Sequence, residues 1–291
     1  MTLAIFFASQ FTESIILVPF AFSCFFGTAL FDTQGSCALS VPDWVQALIL
    51  NLTLICTIAC ILYCTKSEKR SLDSIGFRYL GKPCSFVEYI IGYVIGACMF
   101  AIAWIICVFS GAVEISPKEI TPQILPLIAF FFFGYLFQGM SEEVLCRGFM
   151  MQSMAASYPA VIAVLSNSVV FALLHLGNAG ISPLAIFNLT LFGIFASIYI
   201  WKRGNIWGIA ATHSAWNFVQ GNVLGISVSG TRFGPAFIRT NLHEEMKLIN
   251  GGTFGLEGGL AVTAVFAVGI LILLFIVPVN KEIEIRSSEN N

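Results

Sequence analysis

The sequence has few charged residues. Asp, Glu, Lys and Arg together make up 10% of its 291 residues, whereas 57% of the residues are hydrophobic. Soluble domains carry about 25% charged residues, so the composition excludes a soluble protein and predicts a polytopic membrane protein. The net charge is −2, and the basic residues are scattered or confined to short loops. This distribution excludes the basic surface by which proteins bind nucleic acid.

Several sequence motifs are also missing. There is no HExxH motif, which would place two zinc-ligating histidines and a general base on one helix. The nine cysteines form no paired CxxC sites, and six of them lie in apolar runs, where a buried thiol behaves as a small hydrophobe. Because the N-terminus lacks a basic segment and a clear cleavage site of small residues, we interpret it as a retained first span.

Eight apolar runs are of spanning length for transmembrane helices. They comprise residues 12–31, 45–64, 85–110, 124–150, 160–178, 183–201, 205–224 and 257–279. Basic residues cluster in the connections 65–83 and 201–203 and in the C-terminal tail, and such clusters mark the cytoplasmic side of a membrane. With eight spans, both termini and all three basic segments lie in the cytoplasm.

The sequence therefore predicts an all-α membrane helix bundle of about eight transmembrane helices, with both termini cytoplasmic. We expect a single transmembrane domain over residues 1–280, with its motif core at about 124–217, and a polar tail at 281–291. The expected location is the cell membrane, as a multi-pass protein (the inner membrane in a Gram-negative bacterium). The longest extracytoplasmic connection, residues 225–252, could cover a site from outside, although nothing in its sequence demands this.

The most unusual stretch follows directly from the apolar run 124–137. It contains Glu142, Glu143 and Arg147, and ionisable groups at membrane depth are costly and persist mainly where they carry function. Glu143 and Arg147 are four residues apart, so on a helix they share a face and can pair, whereas Glu142 points about 100° away. If the helix continues from about residue 124 to residue 153, these groups lie inside the membrane. We prefer this long helix because it lets them find partners.

Two of the three histidines lie in later apolar runs. His175 comes four residues after Phe171, and His213 comes four residues before Asn217. Helical residues four apart share a face, so the seventh run offers an imidazole and a carboxamide side by side. A single histidine in an apolar helix is more often a hydrogen-bonding residue between helices, so neither histidine alone indicates a catalytic function.

A carboxylate, two imidazoles and a carboxamide together permit the activation of water. The carboxylate, aided by an imidazole, can take a proton from water as the water attacks a carbonyl carbon. The second imidazole and the carboxamide can donate hydrogen bonds to the oxyanion that forms. Glu142, His175 and His213 could instead hold a divalent metal such as zinc, with water at an open position. The residues leave both mechanisms open, and we slightly favour the one without tightly bound zinc.

The order of the motifs is more specific than any one of them. EExxxR, FxxxH and HxxxN occur here as SEEVLCRG, FALLH and HSAWN, on three successive hydrophobic segments. This order resembles the CPBP family of intramembrane endopeptidases, which comprises CAAX proteases and bacteriocin-processing enzymes. The resemblance covers roughly residues 124–217. It implies that Glu142 activates water with the help of His175, and that His213 and Asn217 stabilise the oxyanion.

The resemblance also implies supporting roles for three residues. Glu143 and Arg147 would orient the site, and Phe171 would pack one helical turn from His175. The function implied is cleavage of a membrane-associated protein or peptide within or near the bilayer, by CAAX-type processing or by maturation of a bacteriocin or another peptide.

Two other functions remain compatible with these residues. The same scaffold could act in bacteriocin self-immunity or as a binding protein without proteolysis. A proton-coupled transporter could use Glu142 and Glu143 as a relay, although the sequence lacks two halves with matching interrupted helices. We favour the endopeptidase. The expected partners are the lipid bilayer and a membrane-associated substrate, and the identity of the substrate and the oligomeric state are left open.

Overall fold

The computed structural model describes residues 42–78, 85–116 and 121–279, so the predicted first span at 12–31 and the tail at 281–291 lie outside the described residues. The described residues form a bundle of helices. Those of twelve residues or more are α1 Asp43–Leu62, α2 Ser85–Phe109, α3 Pro122–Ala155, α4 Ala160–Leu173, α5 Pro183–Arg203, α6 Trp207–Phe218 and α7 Leu260–Phe275.

Four of these helices, α1, α2, α3 and α5, are long and apolar enough to cross a membrane. The helices α4 and α7 are apolar but shorter, and α6 has 12 residues, extended by the π-helical turn Val219–Val223. Each of the seven apolar runs within the described residues contains one of these helices. The architecture is that of a membrane protein, as the composition predicts. The total of about eight spans and the cytoplasmic location of both termini stay predictions.

The sequence sets the ends of α5 clearly. The helix begins at Pro183, whose fixed φ suits the first turn, and the hydroxyl of Ser182 accepts a hydrogen bond from the backbone N–H of Ala185 at 3.1 Å. It ends at Arg203, and the following Gly204 adopts a left-handed conformation with φ of 75° that glycine tolerates best. Lys202 and Arg203 in the last turn lie at the negative end of the helix dipole.

Small residues let α6 pack closely between two other helices. A Cβ atom at Gly96 of α2 would collide with the backbone carbonyl of Thr212, and the Thr212 hydroxyl donates to the carbonyl of Gly92 at 2.9 Å. On the side that faces α3, a Cβ atom at Gly139 would collide with Ser214. The two contacts fix α6 between α2 and α3, so the motifs on α3 and α6 are held beside each other.

The two basic connections lie at the same end of the bundle. The backbone N–H of Ile206, just after α5, donates to the carbonyl of Gly76 at 2.9 Å. Arg203 forms an ion pair with Glu88 near the start of α2. This arrangement agrees with the sequence argument that both connections face one side of the membrane.

The long helix α3 confirms the expectation that the helix passes through the carboxylate motif. It does not end at Ser141 but continues to Ala155. From Val144 to Met151 its hydrogen bonds follow the wider π-helical pattern. This widening, which the sequence did not predict, is of a kind often found at functional sites. All eight residues of the π segment are buried.

Helix α4 is shorter than its apolar run suggests. The sequence predicts a helix through His175, but α4 ends at Leu173 and His175 lies in the turn that follows. The chain then passes through Gly180, which has a positive φ of 73°, and reaches Pro183. Gly180 in this left-handed conformation interrupts the helical path before α5 begins at Pro183.

A small sheet lies beside the helices, which the all-α prediction missed. Strand β1, Val113–Ser116, pairs antiparallel with β2, Arg239–Leu242, and Val113 is opposite Leu242. The β-branched residues of β1 favour an extended chain. The long connection between α6 and α7 is tied to the helices by this sheet and by a hydrogen bond from the Gly234 backbone N–H to the Gln46 side chain at 3.3 Å.

Candidate active site

Glu143 lies at the centre of a buried ionic cluster. Its Oε1 accepts a hydrogen bond from Arg147 Nη1 at 3.1 Å, which confirms the pairing predicted from their spacing. The same Oε1 lies 2.9 Å from Nδ1 of His213 on α6. Both Glu143 and Arg147 are completely buried, with 0% exposure. The carboxylate therefore joins α3 to α6 and fixes the orientation of the imidazole.

Aromatic rings surround the guanidinium group of Arg147. The Arg147 Cζ atom lies 4.5 Å from the centre of the Phe171 ring and 5.4 Å from that of Phe192. Cation–π contacts of this kind stabilise a desolvated cation. Phe171 also packs against His175, with ring centres 4.9 Å apart. The structure thus places Phe171 between the arginine and the histidine.

Glu142 uses its two oxygens differently. Its Oε1 accepts a hydrogen bond from Nε2 of Gln138, one helical turn earlier. Its Oε2 is buried without a hydrogen-bond partner among the described residues and lies 3.7 Å from His213 Nε2. Since a carboxylate oxygen can accept two hydrogen bonds, Oε2 of Glu142 retains its full acceptor capacity.

The environment of His175 fixes its tautomer. Its Nδ1 lies 2.8 Å from the backbone carbonyl oxygen of Phe171. A carbonyl can only accept, so Nδ1 carries the hydrogen, and Nε2 of the neutral ring carries a lone pair. The same bond satisfies one of the last carbonyls of α4, which have no partner within the helix. The turn after α4 therefore keeps the i,i+4 contact that the sequence predicted for a continuous helix.

Asn217 is linked to Glu142 through Gln138. The Asn217 Nδ2 group donates to Gln138 Oε1 at 2.9 Å, and Gln138 donates in turn to Glu142. The chain of contacts Asn217–Gln138–Glu142 crosses from α6 to α3. Sequence reasoning missed Gln138, although its position one turn before Glu142 in an otherwise apolar helix is a signal that could have identified it.

One cavity contains the main predicted site residues. It is lined by Glu142, His175, His213 and Asn217, together with Phe171 and Gln138. Glu143 and Arg147 do not line it and lie behind its wall. The structure thus brings the four proposed catalytic residues to one cavity and places the proposed support pair outside it. The connection between α6 and α7 covers part of this cavity with Ser229, Thr231 and Phe233.

Glu257 also lines the cavity and was not a candidate from sequence. It lies in the 3₁₀ turn Leu256–Gly258 just before α7. Its Oε2 accepts hydrogen bonds from the Ser229 backbone N–H at 2.6 Å and the Ser229 hydroxyl at 2.9 Å, and its Oε1 accepts one from Trp216 Nε1 at 3.2 Å.

Within the described residues, no three His, Cys, Asp or Glu side chains are grouped so that they could hold a metal ion. His213 directs Nδ1 to Glu143, and His175 directs Nδ1 to a backbone carbonyl. These contacts leave Nε2 of each ring as the nitrogen that could bind a metal, since a metal-binding histidine usually gives its other ring nitrogen to a carboxylate or a carbonyl. Zinc binding through Glu142, His175 and His213 stays a prediction for metal analysis.

A helical membrane protein with a buried acid–base cluster is the class that this fold and site define. Within that class, residues 124–219 match a family model described as "Type II CAAX prenyl endopeptidase Rce1-like". The match covers about a third of the chain and includes all the motif residues. It confirms the resemblance to CPBP and CAAX proteases that the three motifs indicate. Searches of curated proteins and of solved structures found no match.

Proposed function

We propose that this protein is an intramembrane endopeptidase of the cell membrane in which Glu142 activates water. The observation that carries the proposal is the different placement of two adjacent carboxylates, each of which has one oxygen without a hydrogen-bond partner among the described residues. Glu142 lines the cavity, whereas Glu143 is not part of its lining and its Oε1 contacts Arg147 and His213. A carboxylate oxygen with free lone pairs beside a cavity can take a proton from water. The family match supports the protease class.

His175 is the second proton acceptor in this proposal. Its Nδ1–H is held by the Phe171 carbonyl, so the lone pair of Nε2 is free to accept a hydrogen bond from the attacking water. In the next step, the proton taken up by Glu142 passes to the nitrogen of the departing amine. A positioned base of this kind contributes roughly 10²–10⁴-fold to the rate.

His213 and Asn217 are the proposed donors to the oxyanion. The contact with Glu143 holds Nδ1 of His213, which leaves Nε2 to donate when the ring is protonated. This carboxylate–imidazole arrangement resembles the way in which an aspartate orients the histidine of serine proteases. Asn217 gives one N–H to Gln138 and has a second N–H available. In other hydrolases, the loss of one oxyanion donor costs about 2.7–4 kcal/mol of transition-state stabilisation.

The test compares purified full-length protein in lipid nanodiscs with its Glu142→Gln variant. The probes are farnesylated and unmodified CAAX-type peptides together with a library of apolar peptides, and mass spectrometry identifies the products. We expect Glu142→Gln to reduce cleavage by about 10³-fold, as for loss of a general base. Glu114→Gln, on the exposed side of β1, is the matched control and should retain the wild-type rate.

Full turnover in both Glu142→Gln and His175→Ala would contradict the proposal. If the protein protects cells from a bacteriocin and Glu142→Gln retains that protection, the immunity function is supported instead. Elemental analysis of the same samples separates the two mechanisms. One metal ion per chain that is lost in Glu142→Gln would replace the metal-free mechanism with a metal-dependent one.

A further inference from the structure

Glu257 differs from the other buried carboxylates of the described residues. These carboxylates are Glu88, Glu142, Glu143 and Glu257. The first three have a basic nitrogen of arginine or histidine in ion-pair contact. Glu257 has no such contact within the part of the chain that the structure describes, and its hydrogen-bond partners are the neutral donors Ser229 and Trp216.

These partners suit an ionised carboxylate. All three contacts donate hydrogen to Glu257: the Ser229 N–H, the Ser229 O–H and the Trp216 N–H. A protonated carboxyl group would need an acceptor for its own hydrogen, and none is placed against it among these contacts. A buried charge without a cation is nevertheless costly. A cation that enters the cavity would remove this cost.

The surroundings of Glu257 also suit a cation. Tyr135 and Phe233 line the same cavity, and aromatic faces attract ammonium and guanidinium groups. Oε2 already accepts two hydrogen bonds, whereas Oε1 accepts only one. Since each carboxylate oxygen has about two acceptor sites, Oε1 can accept one more hydrogen bond from a bound group.

The distance from the proposed catalytic residues limits the part of a substrate that can reach Glu257. Glu257 lines the same cavity as Glu142, His175 and His213, and its carboxyl group is close enough to both histidines to interact with them electrostatically. A side chain that contacts Glu257 therefore belongs to a residue near the scissile bond.

We propose that Glu257 binds the cationic side chain of a lysine or arginine close to the scissile bond, and so selects basic substrates. This inference rests on the proposed endopeptidase function. It adds a specificity-determining residue on the connection between α6 and α7, beyond the three motif segments.

The first test uses N-acetylated, C-amidated peptides that differ only by lysine or norleucine at one position. Acetylation removes the terminal ammonium group, so any preference reflects the side chain. We expect the wild-type protein to cleave the lysine peptide at least about tenfold faster at one position near the scissile bond, the size expected for one charge-assisted hydrogen bond. In Glu257→Gln this ratio should fall to near one, whereas Glu114→Gln should keep it.

The second test measures binding without turnover, so it remains informative if no cleavable peptide is found. The Glu142→Gln protein is labelled with 5-fluorotryptophan and titrated with n-butylguanidinium or with its neutral analogue n-butylurea. The fluorine signal of Trp216, assigned with Trp216→Phe, should shift with the cation only. The other four tryptophans serve as internal controls. Adding Glu257→Gln should weaken binding at least about tenfold.

Equal response of Trp216 to both compounds, or no response to either, would overturn the proposal, and so would a lysine preference that persists in Glu257→Gln. If Glu257→Gln does not fold, the absence of a lysine preference in the wild-type protein would still overturn the proposal. Cation binding without cleavage of any peptide would contradict the endopeptidase and leave the cation site intact.

Discussion

Glu88 and Glu142 are both buried carboxylates, with 1% and 6% exposure, but they lie in regions of different character. Glu88, near the start of α2, uses both oxygens for Arg203: Oε1 accepts from Nη2 and Oε2 accepts from Nε. Glu142, in the middle of α3, has one oxygen held by Gln138 and one without a hydrogen-bond partner among the described residues. Both regions therefore bury a carboxylate, but only the carboxylate of Glu88 has both oxygens hydrogen-bonded.

The difference separates contacts that stabilise the fold from contacts that leave a group available for chemistry. A two-pronged arginine–carboxylate pair has specific geometry and its donors and acceptors are used. An incompletely paired polar group reduces stability and is retained mainly where it has another use. In the cluster around Glu142, one oxygen of Glu143 and the Nε and Nη2 atoms of Arg147 also lack hydrogen-bond partners in the described part of the chain. The region around Glu142 is thus the one that favours function over stability.

The largest effect is expected from removal of the cation of the α3 cluster. Arg147→Leu leaves Glu143 buried with only His213 as a basic partner. Breaking a fully buried ion pair costs about 3–5 kcal/mol of stability. We expect a corresponding loss in thermal unfolding experiments on the purified protein, together with loss of cleavage because Glu143 no longer holds His213 in place.

Two further variants sharpen this prediction. The double variant Arg147→Leu/Glu143→Leu should recover much of the stability without recovering cleavage, since two apolar side chains replace the ion pair. Arg203→Leu should destabilise the protein less than Arg147→Leu, because the Arg203 side chain is 29% exposed and that of Arg147 is 0% exposed. Equal losses of stability in Arg147→Leu and Arg203→Leu would show that the two ion pairs do not differ in their contribution to the fold.

The next prediction applies one substitution to both regions. Glu88→Gln should lower the free energy of unfolding by about 1–3 kcal/mol, the value for a hydrogen-bonded charged group, and should leave the cleavage rate per folded molecule unchanged. Glu142→Gln should leave stability unchanged or raise it, because it removes an incompletely satisfied buried charge, while cleavage is lost. Thermal unfolding and cleavage measured on the same preparations would reveal this reversal. Marked destabilisation by Glu142→Gln would mean that Glu142 is structural.

The features that follow from local periodicity were predictable from the sequence. The pairing of Glu143 with Arg147 follows from a spacing of four residues, and the contact of Phe171 with His175 survives although α4 ends between them. The length of α3 followed from a physical argument, because charges inside a membrane need partners. Both arguments use only residues that are close to the motif in the sequence.

The features that depend on distant segments were not predictable in the same way. Gln138 meets Asn217 across 79 positions, and Glu257 meets Trp216 across 41. Pairing of β1 with β2 likewise joins two loops far apart in sequence. The spacing of residues within one helix does not predict such contacts, since they depend on how the helices pack against each other. Glu257 nevertheless carried a signal, because it is a carboxylate at the start of an apolar run.

The smallest predicted effect concerns Gln138, which orients Glu142. Gln138→Leu removes both the donor to Glu142 and the acceptor for Asn217. Glu142 then samples more side-chain orientations, so we expect kcat to fall about 10–100-fold, as for misplacement of a catalytic group, with little change in KM. Steady-state kinetics with one cleaved peptide measures both constants.

Asn51→Leu is the control for Gln138→Leu, because Asn51 also links helices by its amide, donating to the carbonyls of Ala47 and Phe130. It should lose about 1 kcal/mol of stability and keep its kcat. If Gln138 acts through Glu142, Gln138→Leu should cause no further loss in a Glu142→Gln background, since residues that act as a unit are not additive. Independent, multiplicative losses in the double variant would show that Gln138 acts on packing alone. Gln138 and Asn51 would then both have a structural role only.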